Sequence, residues 1–447
     1  MAANVDGLIV AAPASGSGKT VVTLGLLRSL SRAGVNVTSA KVGPDYIDPA
    51  FHTAASGRPC RNLDTWAMRP ETLHGAIDAL AADGAMILCE GVMGLFDGAS
   101  GNPGGADGST ASLAKVTGWP VLLVVDAAAQ AGSAAAVVRG FATHDPDVPI
   151  AGVLFNRVGS EAHAAILRDA CQAALPDVPV LGCLPRRDDL SVPSRHLGLV
   201  QALEHDDLPV LLDRAADWID EHVDLDRLRA LFQPTGVVGG VHASSVLPLL
   251  GQRIAVARDA AFAFAYTGVL EGWRQAGAAL TFFSPLADEA PDAAADAVYL
   301  PGGYPELHAG VLAANDGFRS GLAAADGRGA AIFGECGGYM VLGDMLTDAE
   351  GTPHRMLGLL GVTTSFAERR LHLGYRDIRL ETDSVLGPAG ARFRGHEFHY
   401  AALIDEAGAA PLFSVSNAGG EDMGPAGLVR GRVAGSFIHL IDRCDMR

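Results

Sequence analysis

The residue types nearest the N-terminus that could do chemistry are those of a phosphate-binding loop. Residues 12–20 read Ala-Pro-Ala-Ser-Gly-Ser-Gly-Lys-Thr, a glycine-rich turn that can direct several backbone N–H groups at a phosphate. In such a loop the lysine reaches the terminal phosphates of a nucleotide and the threonine hydroxyl ligates Mg²⁺. Pro13 stands where the motif has glycine, and the alternative is a glycine-rich turn without a ligand. The predicted nucleotide contacts are Gly16, Ser17, Gly18, Lys19 and Thr20.

Three carboxylates follow apolar runs and could serve the same site. Asp45 and Asp48 lie three residues apart directly after one run, and Glu90 ends another. Because a carboxylate at the end of a strand beside a phosphate loop is well placed to hold Mg²⁺, we predict that Thr20, Glu90 and Asp45 are metal ligands. The alternative for each acid is a turn or a helix cap.

A second reactive centre is indicated around Cys336. The segment Gly-Glu-Cys-Gly-Gly at 334–338 has the Gly-x-Cys-x-Gly pattern of a nucleophile elbow, which places a thiol at a helix N-terminus. The helix dipole is expected to lower the pKa of that thiol. His439 is the predicted base, and the backbone N–H groups of Gly303 and Gly337 are predicted to form an oxyanion hole. The alternative is a buried structural cysteine.

Alternating short apolar runs and helical patterns must position these residues. The predicted strands are Leu8–Ala12, Val35–Lys41, Met86–Cys89, Val121–Val125, Ile150–Phe155 and Val178–Leu181, and then 253–257, 298–300, 331–333 and 435–439. The apolar spacing of 20–32 predicts a helix, and strand–helix alternation implies a parallel sheet. The turn-rich stretch 233–251 divides the chain. We predict an α/β protein with a P-loop domain at 1–240 and a second α/β domain at 251–447.

Composition excludes several classes of protein. The formal net charge of −18 argues against a nucleic-acid partner, which needs clustered Lys and Arg. No apolar stretch is long enough for a membrane span, and the first residues do not resemble a signal peptide. The six cysteines form no regular framework, so we expect a cytoplasmic protein.

The whole chain resembles known enzymes. Its C-terminal half resembles class I glutamine amidotransferases, and its N-terminal half resembles dethiobiotin-synthetase-like P-loop enzymes. Residues 41–52 with 57–66, and residues 90–98, are similar to the cobyrinic and hydrogenobyrinic acid a,c-diamide synthases of cobalamin biosynthesis. The stretches 195–200 and 394–400 support this match. The phosphate-loop sequence is more similar to the members whose substrate lacks cobalt.

The resemblance implies two linked reactions. ATP with Mg²⁺ would phosphorylate the a or c acetate side chain of a corrinoid, and ammonia from glutamine would displace the phosphate. Cys336 and His439 would release that ammonia as a dyad, because Ile441, beside Asp442, stands where most amidotransferases have an orienting glutamate. Ammonia would then cross between the domains.

The resemblance also suggests substrate contacts. Asp45, Tyr46 and Asp48 are predicted to face the reacting carboxylate. Arg195 and His196 are candidates for other substrate carboxylates, with helix packing as the alternative. Asn156, with Arg157, is a candidate for contact with adenine or ribose, and the alternative is a surface turn.

Other functions stay open at this stage. The acceptor could be another tetrapyrrole acid, such as nickel-sirohydrochlorin. The chain could instead be a nucleotide-gated regulatory protein with an inactive amidotransferase domain, or a P-loop kinase joined to a protease-like domain. The sequence leaves open the presence of cobalt, the order of the two amidations and the formation of a homodimer.

Overall fold

The computed structural model describes residues 5–99, 106–190, 194–195, 198–205, 207–235 and 246–444, and its N-terminal half is built on one sheet. Seven strands lie side by side in the order β3-β2-β4-β1-β5-β6-β7, all parallel, and β10 pairs antiparallel with β1. The strands are β1 (Asp6–Ala11), β2 (Val37–Val42), β3 (Arg61–Leu63), β4 (Met86–Glu90), β5 (Val121–Asp126), β6 (Ile150–Val158), β7 (Val180–Pro185), the short hairpin β8 (Ser194–Arg195) and β9 (Gly198–Leu199), and β10 (Gln233–Pro234).

Helices cover this sheet, as parallel strands require. They are α1 (Lys19–Arg32), α2 (Asp48–Ser56), α3 (Pro70–Leu80), α4 (Thr110–Thr117), α5 (Ala134–His144), α6 (Glu161–Ala174), α7 (Leu208–His222) and α8 (Leu225–Ala230). Helix α1 leaves the central strand β1 and buries Val22, Leu26 and Leu30 on one face. The phosphate loop therefore lies at the carboxyl edge of the sheet, at the end of β1, with β4 on one side of that strand and β5 on the other.

The C-terminal half has a ten-stranded mixed sheet in the order β12-β11-β13-β14-β23-β22-β21-β18-β19-β24. A smaller sheet, β16-β15-β17-β20, packs beside it. The strands are β11 (Arg253–Ala257), β12 (Ala279–Phe283), β13 (Ala297–Leu300), β14 (Ala331–Glu335), β15 (Met345–Thr347), β16 (Pro353–Arg355), β17 (Gly361–Ser365), β18 (His372–Leu380), β19 (Arg392–His399), β20 (Ala402–Ala407), β21 (Ala410–Asn417), β22 (Asp422–Arg430), β23 (Val433–Ser436) and β24 (Ile438–Cys444). The helices are α9 (Thr267–Gln275), α10 (Ala309–Ala314), α11 (Asp316–Gly327) and α12 (Gly337–Leu342).

The predicted α/β fold is confirmed. All six strands predicted in the first half are present, with ends shifted by a few residues, and the predicted helix at 20–32 is α1. Strands β3, β8–β10, β12 and β15–β22 were not predicted. The stretch predicted as one strand at 435–439 is divided between β23 and β24. Residues 236–245 of the predicted domain boundary lie outside the described residues.

The two halves pack against each other through an apolar core that includes Leu24 and Phe51 from the first half and Phe264 and Ile438 from the second. Polar contacts also cross between them: the Tyr266 hydroxyl donates to the carbonyl of Pro44 at 2.8 Å. In the described part of the chain, no helix has the length and apolar character needed to cross a membrane. The carboxyl ends of the first sheet therefore face the second domain.

Candidate active site

The phosphate loop is shaped by two glycines with positive φ. Gly16 has φ +79° and Gly18 has φ +90°, which a side chain would strain. A Cβ at Gly18 would lie 2.2 Å from Nδ2 of Asn156, and that nitrogen donates to the carbonyl of Ser17 at 2.9 Å. Helix α1 begins without an acidic residue or a side-chain cap in its first turn, so its backbone N–H groups can receive an anion.

Lys19 is held by a second loop, Gly91–Asp97, which follows β4. Its ammonium donates to the carbonyl of Met93 at 2.5 Å, and Met93 has φ +47°, an uncommon value for a residue with a side chain. Burial lowers the pKa of Lys19, although Glu90 nearby opposes the shift. The Leu95 N–H donates to the carbonyl of Ala12, so this loop and the phosphate loop form one unit.

Glu90 lies at the centre of a buried network of charges. One of its carboxylate oxygens accepts from the Thr20 hydroxyl at 2.7 Å and from the Lys41 ammonium at 2.9 Å. The other oxygen lies 2.7 Å from Nε2 of His52. Lys41 also donates to Asp48 at 2.7 Å. The network therefore brings together, at the edge of the sheet, the P-loop hydroxyl and two of the three predicted carboxylates.

The network sets unusual protonation states. Burial and the nearby Asp45 carboxylate raise the pKa of Asp48 to about 7. Burial also opposes ionisation of Glu90, but Lys41 and His52 hold the pKa of that carboxyl well below its usual range. Despite burial, Cys60 and Glu90 raise the pKa of His52 to about 10. Asp48 is thus the carboxylate that can exchange a proton near neutral pH.

Asp45 contributes differently from Asp48. Its Oδ1 accepts from the backbone N–H groups of Ile47 and Asp48 at 2.8 and 3.0 Å, a turn of the kind that the alternative interpretation describes. Its Oδ2 lies 4.0 Å from the Lys41 ammonium. Asp45 therefore borders the network with one oxygen and shapes the segment between β2 and α2 with the other.

Cys336 occupies the strained turn between β14 and α12. It has φ +48° and ψ −106°, a conformation that a nucleophile elbow imposes. Its N–H donates to the carbonyl of Ser436 on β23 at 2.8 Å, and its side chain is buried. The strand, the turn and the following helix are as predicted, and they fix the thiol between β13 and β23.

His439 approaches the thiol across Gly302. A Cβ at Gly302 would lie 2.4 Å from Cε1 of His439 and 3.2 Å from Cβ of Cys336. A Cβ at Gly337 would lie 3.0 Å from the backbone nitrogen of Gly303, so the two amides predicted for the oxyanion hole are neighbours. The predicted nucleophile, base and oxyanion groups are therefore brought together.

The pKa prediction for the thiol was wrong. Burial, with the nearby Glu306 carboxyl, raises the pKa of Cys336 well above its usual value, because desolvation outweighs the hydrogen bond from the Gly337 N–H. Burial also lowers the pKa of His439 to about 3. At neutral pH the pair is a neutral thiol and a neutral imidazole.

Asp442 is not the partner of His439. Its two oxygens accept from the Arg69 backbone and guanidinium, at 2.9 to 3.1 Å. Among the described residues neither ring nitrogen of His439 has a hydrogen-bond partner. The imidazole ring instead stacks on Tyr46 of the first domain, with ring centroids 4.5 Å apart. Among the described residues no carboxylate is hydrogen-bonded to His439, so these residues do not form a triad, and the dyad stays a prediction.

The side chains of Tyr46 and Asn156 have partners within the protein, and the predicted substrate contacts of Arg195 and His196 stay predictions. The ring of Tyr46 faces His439 rather than the carboxylate network. Asn156 uses its amide nitrogen on Ser17 and its oxygen on the Arg157 N–H, so it supports the phosphate loop from within the protein. Arg195 lies in the hairpin β8–β9, and His196 lies outside the described residues.

Sequence reasoning missed Lys41, His52 and Gly302 as site residues. Lys41 could have been recognised as a lone cation near the end of a buried strand, since an unpaired charge is rarely buried. His52 is four residues beyond Asp48 on α2, which places both on one helical face. Gly302 gives no signal beyond the paired glycines at 302–303, because its role depends on a histidine far along the chain.

Comparisons with known proteins agree with this two-centre arrangement. Residues 8–200 match a CobQ/CobB/MinD/ParA nucleotide binding domain, and residues 253–444 match a CobB/CobQ-like glutamine amidotransferase domain. The chain is similar to the hydrogenobyrinate a,c-diamide synthases of a Sinorhizobium species, 54% identical over 440 residues, and of Brucella anthropi, 53% identical over 442 residues. Each alignment covers 98% of this chain and 99% of the relative.

Proposed function

The chain belongs to the hydrogenobyrinate a,c-diamide synthase family, and on that premise we propose that it amidates the a and c acetate side chains of hydrogenobyrinic acid. ATP activates each carboxylate as an acyl phosphate, and glutamine supplies the ammonia. The observation that carries this proposal is the adjacency of the two centres. Both ends of the segment from Lys41 to Asp48 join the charge network beside the phosphate loop, and Tyr46 between them stacks on His439.

The residues of the first centre fit ATP with Mg²⁺. The hydroxyl of Thr20 and the carboxylate of Glu90 are hard oxygen donors 2.7 Å apart, which is the donor type that Mg²⁺ prefers. These two residues would hold the ion, and its charge would neutralise the phosphates. Lys19 and the amides of α1 bind and orient the phosphate chain, so that positioning accounts for most of the acceleration of this step.

Asp48 is suited to the amidation step. With a pKa of about 7, it can take a proton from ammonia as the nitrogen attacks the acyl phosphate. Lys41, 2.7 Å from Asp48, then stabilises the phosphate that leaves. Asp45, on the same segment, is placed to orient the acceptor.

The second centre releases the ammonia. The thiol of Cys336 passes its proton to the neutral imidazole of His439 as the sulfur attacks the amide carbon of glutamine. The backbone N–H groups of Gly303 and Gly337 stabilise the oxyanion. The imidazolium returns the proton to the departing ammonia, and water hydrolyses the thioester to glutamate.

Mass spectrometry tests the overall reaction. Purified protein with hydrogenobyrinic acid, ATP, Mg²⁺ and glutamine should give a product that has gained two amides, and parallel reactions with cobyrinic acid test whether cobalt is tolerated. A substitution of Cys336→Ala should abolish amidation from glutamine and preserve amidation from ammonium salts. The buried thiol of Cys171 on α6 supplies the matched control, Cys171→Ala. Failure of ammonium to support the Cys336→Ala enzyme would contradict the proposed division of labour.

A further inference from the structure

We propose that Tyr46, from the P-loop domain, positions the imidazole of His439 in place of the carboxylate that orients such a histidine in a triad. The inference rests on the proposed function and deepens it. It assigns a residue of the synthetase domain to the glutamine-hydrolysing centre of the other domain.

The first observation is that no described polar group fixes the ring of His439. The imidazole is fully buried and both nitrogens are without a hydrogen-bond partner among the described residues. Asp442, three residues after His439, and Glu335, next to Cys336, are engaged elsewhere. Asp442 is bound by Arg69, and Glu335 accepts from the Tyr299 hydroxyl at 2.6 Å and the Leu440 N–H at 2.9 Å. The orientation of the base must therefore come from packing.

The second observation is that Tyr46 is wedged between two rings of the amidotransferase domain. It stacks on His439 with centroids 4.5 Å apart and planes at 27°, and on Phe264 with centroids 4.4 Å apart and planes at 26°. Its hydroxyl donates to the carbonyl of Phe398 at 3.2 Å. Tyr266 closes the edge of this stack and is itself bonded to Pro44. The tyrosine is thus held rigidly enough to set the plane of the imidazole.

The third observation is the direction in which that plane points. The Cε1–Nε2 edge of His439 borders Gly302, beyond which lies Cys336. A rotation of the ring out of the stack would take Nε2 away from the thiol. The titratable groups that act on the ring include His396 and His399, the rings of Tyr46 and Tyr266 pack against it, and the carboxyls of Glu306, Glu397 and Glu335 lie on the side of the thiol. All three histidines are on neighbouring strands, and none supplies a negative charge.

The test compares two substitutions in the full-length enzyme. Tyr46→Leu removes the stack, and Tyr46→Phe keeps the ring and removes only the hydroxyl. We expect Tyr46→Leu to lower the ratio of glutamine-dependent to ammonium-dependent amidation by about tenfold, since misplacing a base costs rate through lost alignment. Tyr46→Phe should keep this ratio within about twofold of the wild type, because stacking is retained. The loss should appear in kcat for glutamine hydrolysis and not in KM.

A pH profile separates positioning from general damage. In the wild type, burial keeps the pKa of His439 at about 3. Exposing the ring in Tyr46→Leu would return this pKa towards the ordinary value near 6.5, so the acid limb of glutamine hydrolysis should move to higher pH. The acid limb of the pH profile of the Tyr46→Phe enzyme should stay at the wild-type pH.

The interface itself offers a matched control. Tyr375 stacks on Trp66 across the same two domains, with centroids 4.5 Å apart and planes at 26°. Tyr375→Leu removes an equivalent stack and should leave the ratio unchanged. An unchanged ratio in Tyr46→Leu, or an equal fall in Tyr46→Phe or Tyr375→Leu, would overturn the inference. If Tyr46→Leu fails to fold, Tyr46→Met takes its place. Wild-type enzyme that does not use glutamine would instead overturn the proposed function.

Discussion

Gly302 is the residue that allows the nucleophile and the base to meet. Because its missing Cβ would lie 2.4 Å from Cε1 and 3.0 Å from Nε2 of His439, any side chain there would push the imidazole away from the thiol. A side chain at position 302 would clash with its neighbours but would not strain the backbone, since Gly302 does not have a positive φ. Its requirement is one of space and not of backbone conformation.

The substitution Gly302→Ala should therefore impair glutamine hydrolysis by at least about a hundredfold, the scale on which a displaced acid–base group acts. Amidation from ammonium salts should continue, because the phosphate centre is not involved. Gly327, at the end of α11, has open space around its Cβ position, and Gly327→Ala is the control. Equal rates of glutamine hydrolysis in the two variants would show that the imidazole does not occupy this position.

Single residues with a recognisable pattern were the easiest to predict. The spacing of the glycines around Cys336 and Lys19 identifies both residues, because their turns require special backbone conformations. Tyr46 was predicted to face the reacting carboxylate, and the contact of its ring with His439 was not predicted. That contact is with a residue 393 positions later, and no local pattern encodes such a distance.

At the level of elements, the loop Gly91–Asp97 and the phosphate loop are mutually dependent. Gly94 donates to the Asp97 carboxylate at 2.8 Å, and a Cβ at Gly94 would lie 2.7 Å from the carbonyl of Pro13. The adjoining carbonyl of Met93 holds Lys19. A shift of this loop would release the lysine and open the phosphate loop together.

We expect Gly94→Ala to reduce ATP-dependent amidation from both glutamine and ammonium salts by at least about tenfold, because the phosphate-binding lysine loses its support. Hydrolysis of glutamine by Cys336 should persist. This is the reverse of the pattern expected for Gly302→Ala. Gly140→Ala, on α5 where the Cβ position is open, is the control. Loss of glutamine hydrolysis together with ATP-dependent amidation would argue against separate centres.

Most of the parallel strands were predictable, and the antiparallel strands β18–β22 were not. Strands β1, β4 and β5 are buried on both faces and appear as continuous apolar runs. Strand β18, His372–Leu380, mixes exposed and buried positions and contains charged residues. Its sheet has one partly solvated face, so its apolar signal is weaker than that of a buried strand.

On the scale of the whole molecule, one ion pair joins the domains beside the glutamine centre. Asp442 lies on β24, three residues after His439, and is fully buried, while Arg69 is nine-tenths buried. The backbone N–H of Arg69 and two of its guanidinium nitrogens donate to this carboxylate. This contact anchors the catalytic strand to the P-loop domain. The sequence did not predict this contact, because it showed Asp442 only as the residue beside Ile441, which stands where most glutamine amidotransferases have an orienting glutamate.

The substitution Asp442→Asn should loosen this anchor without changing side-chain size. Removing the negative charge beside Arg69, whose guanidinium keeps its contacts with Glu71 and Thr72, should cost about 1–3 kcal/mol in the free energy of unfolding, measured by denaturant titration. Asp213→Asn, which breaks the half-exposed pair with Arg28, should cost no more than about 1 kcal/mol.

The same variant tests whether the interface couples the two reactions. If ammonia passes between the packed domains, Asp442→Asn should release more glutamate per amide formed than the wild type, because ammonia escapes through the loosened contact. Asp213→Asn should keep the wild-type ratio, since its ion pair lies within the P-loop domain. Parallel measurement of glutamate and amide decides the question. A wild-type ratio in a destabilised Asp442→Asn enzyme would mean that the ion pair stabilises the fold and that the route of ammonia lies away from β24.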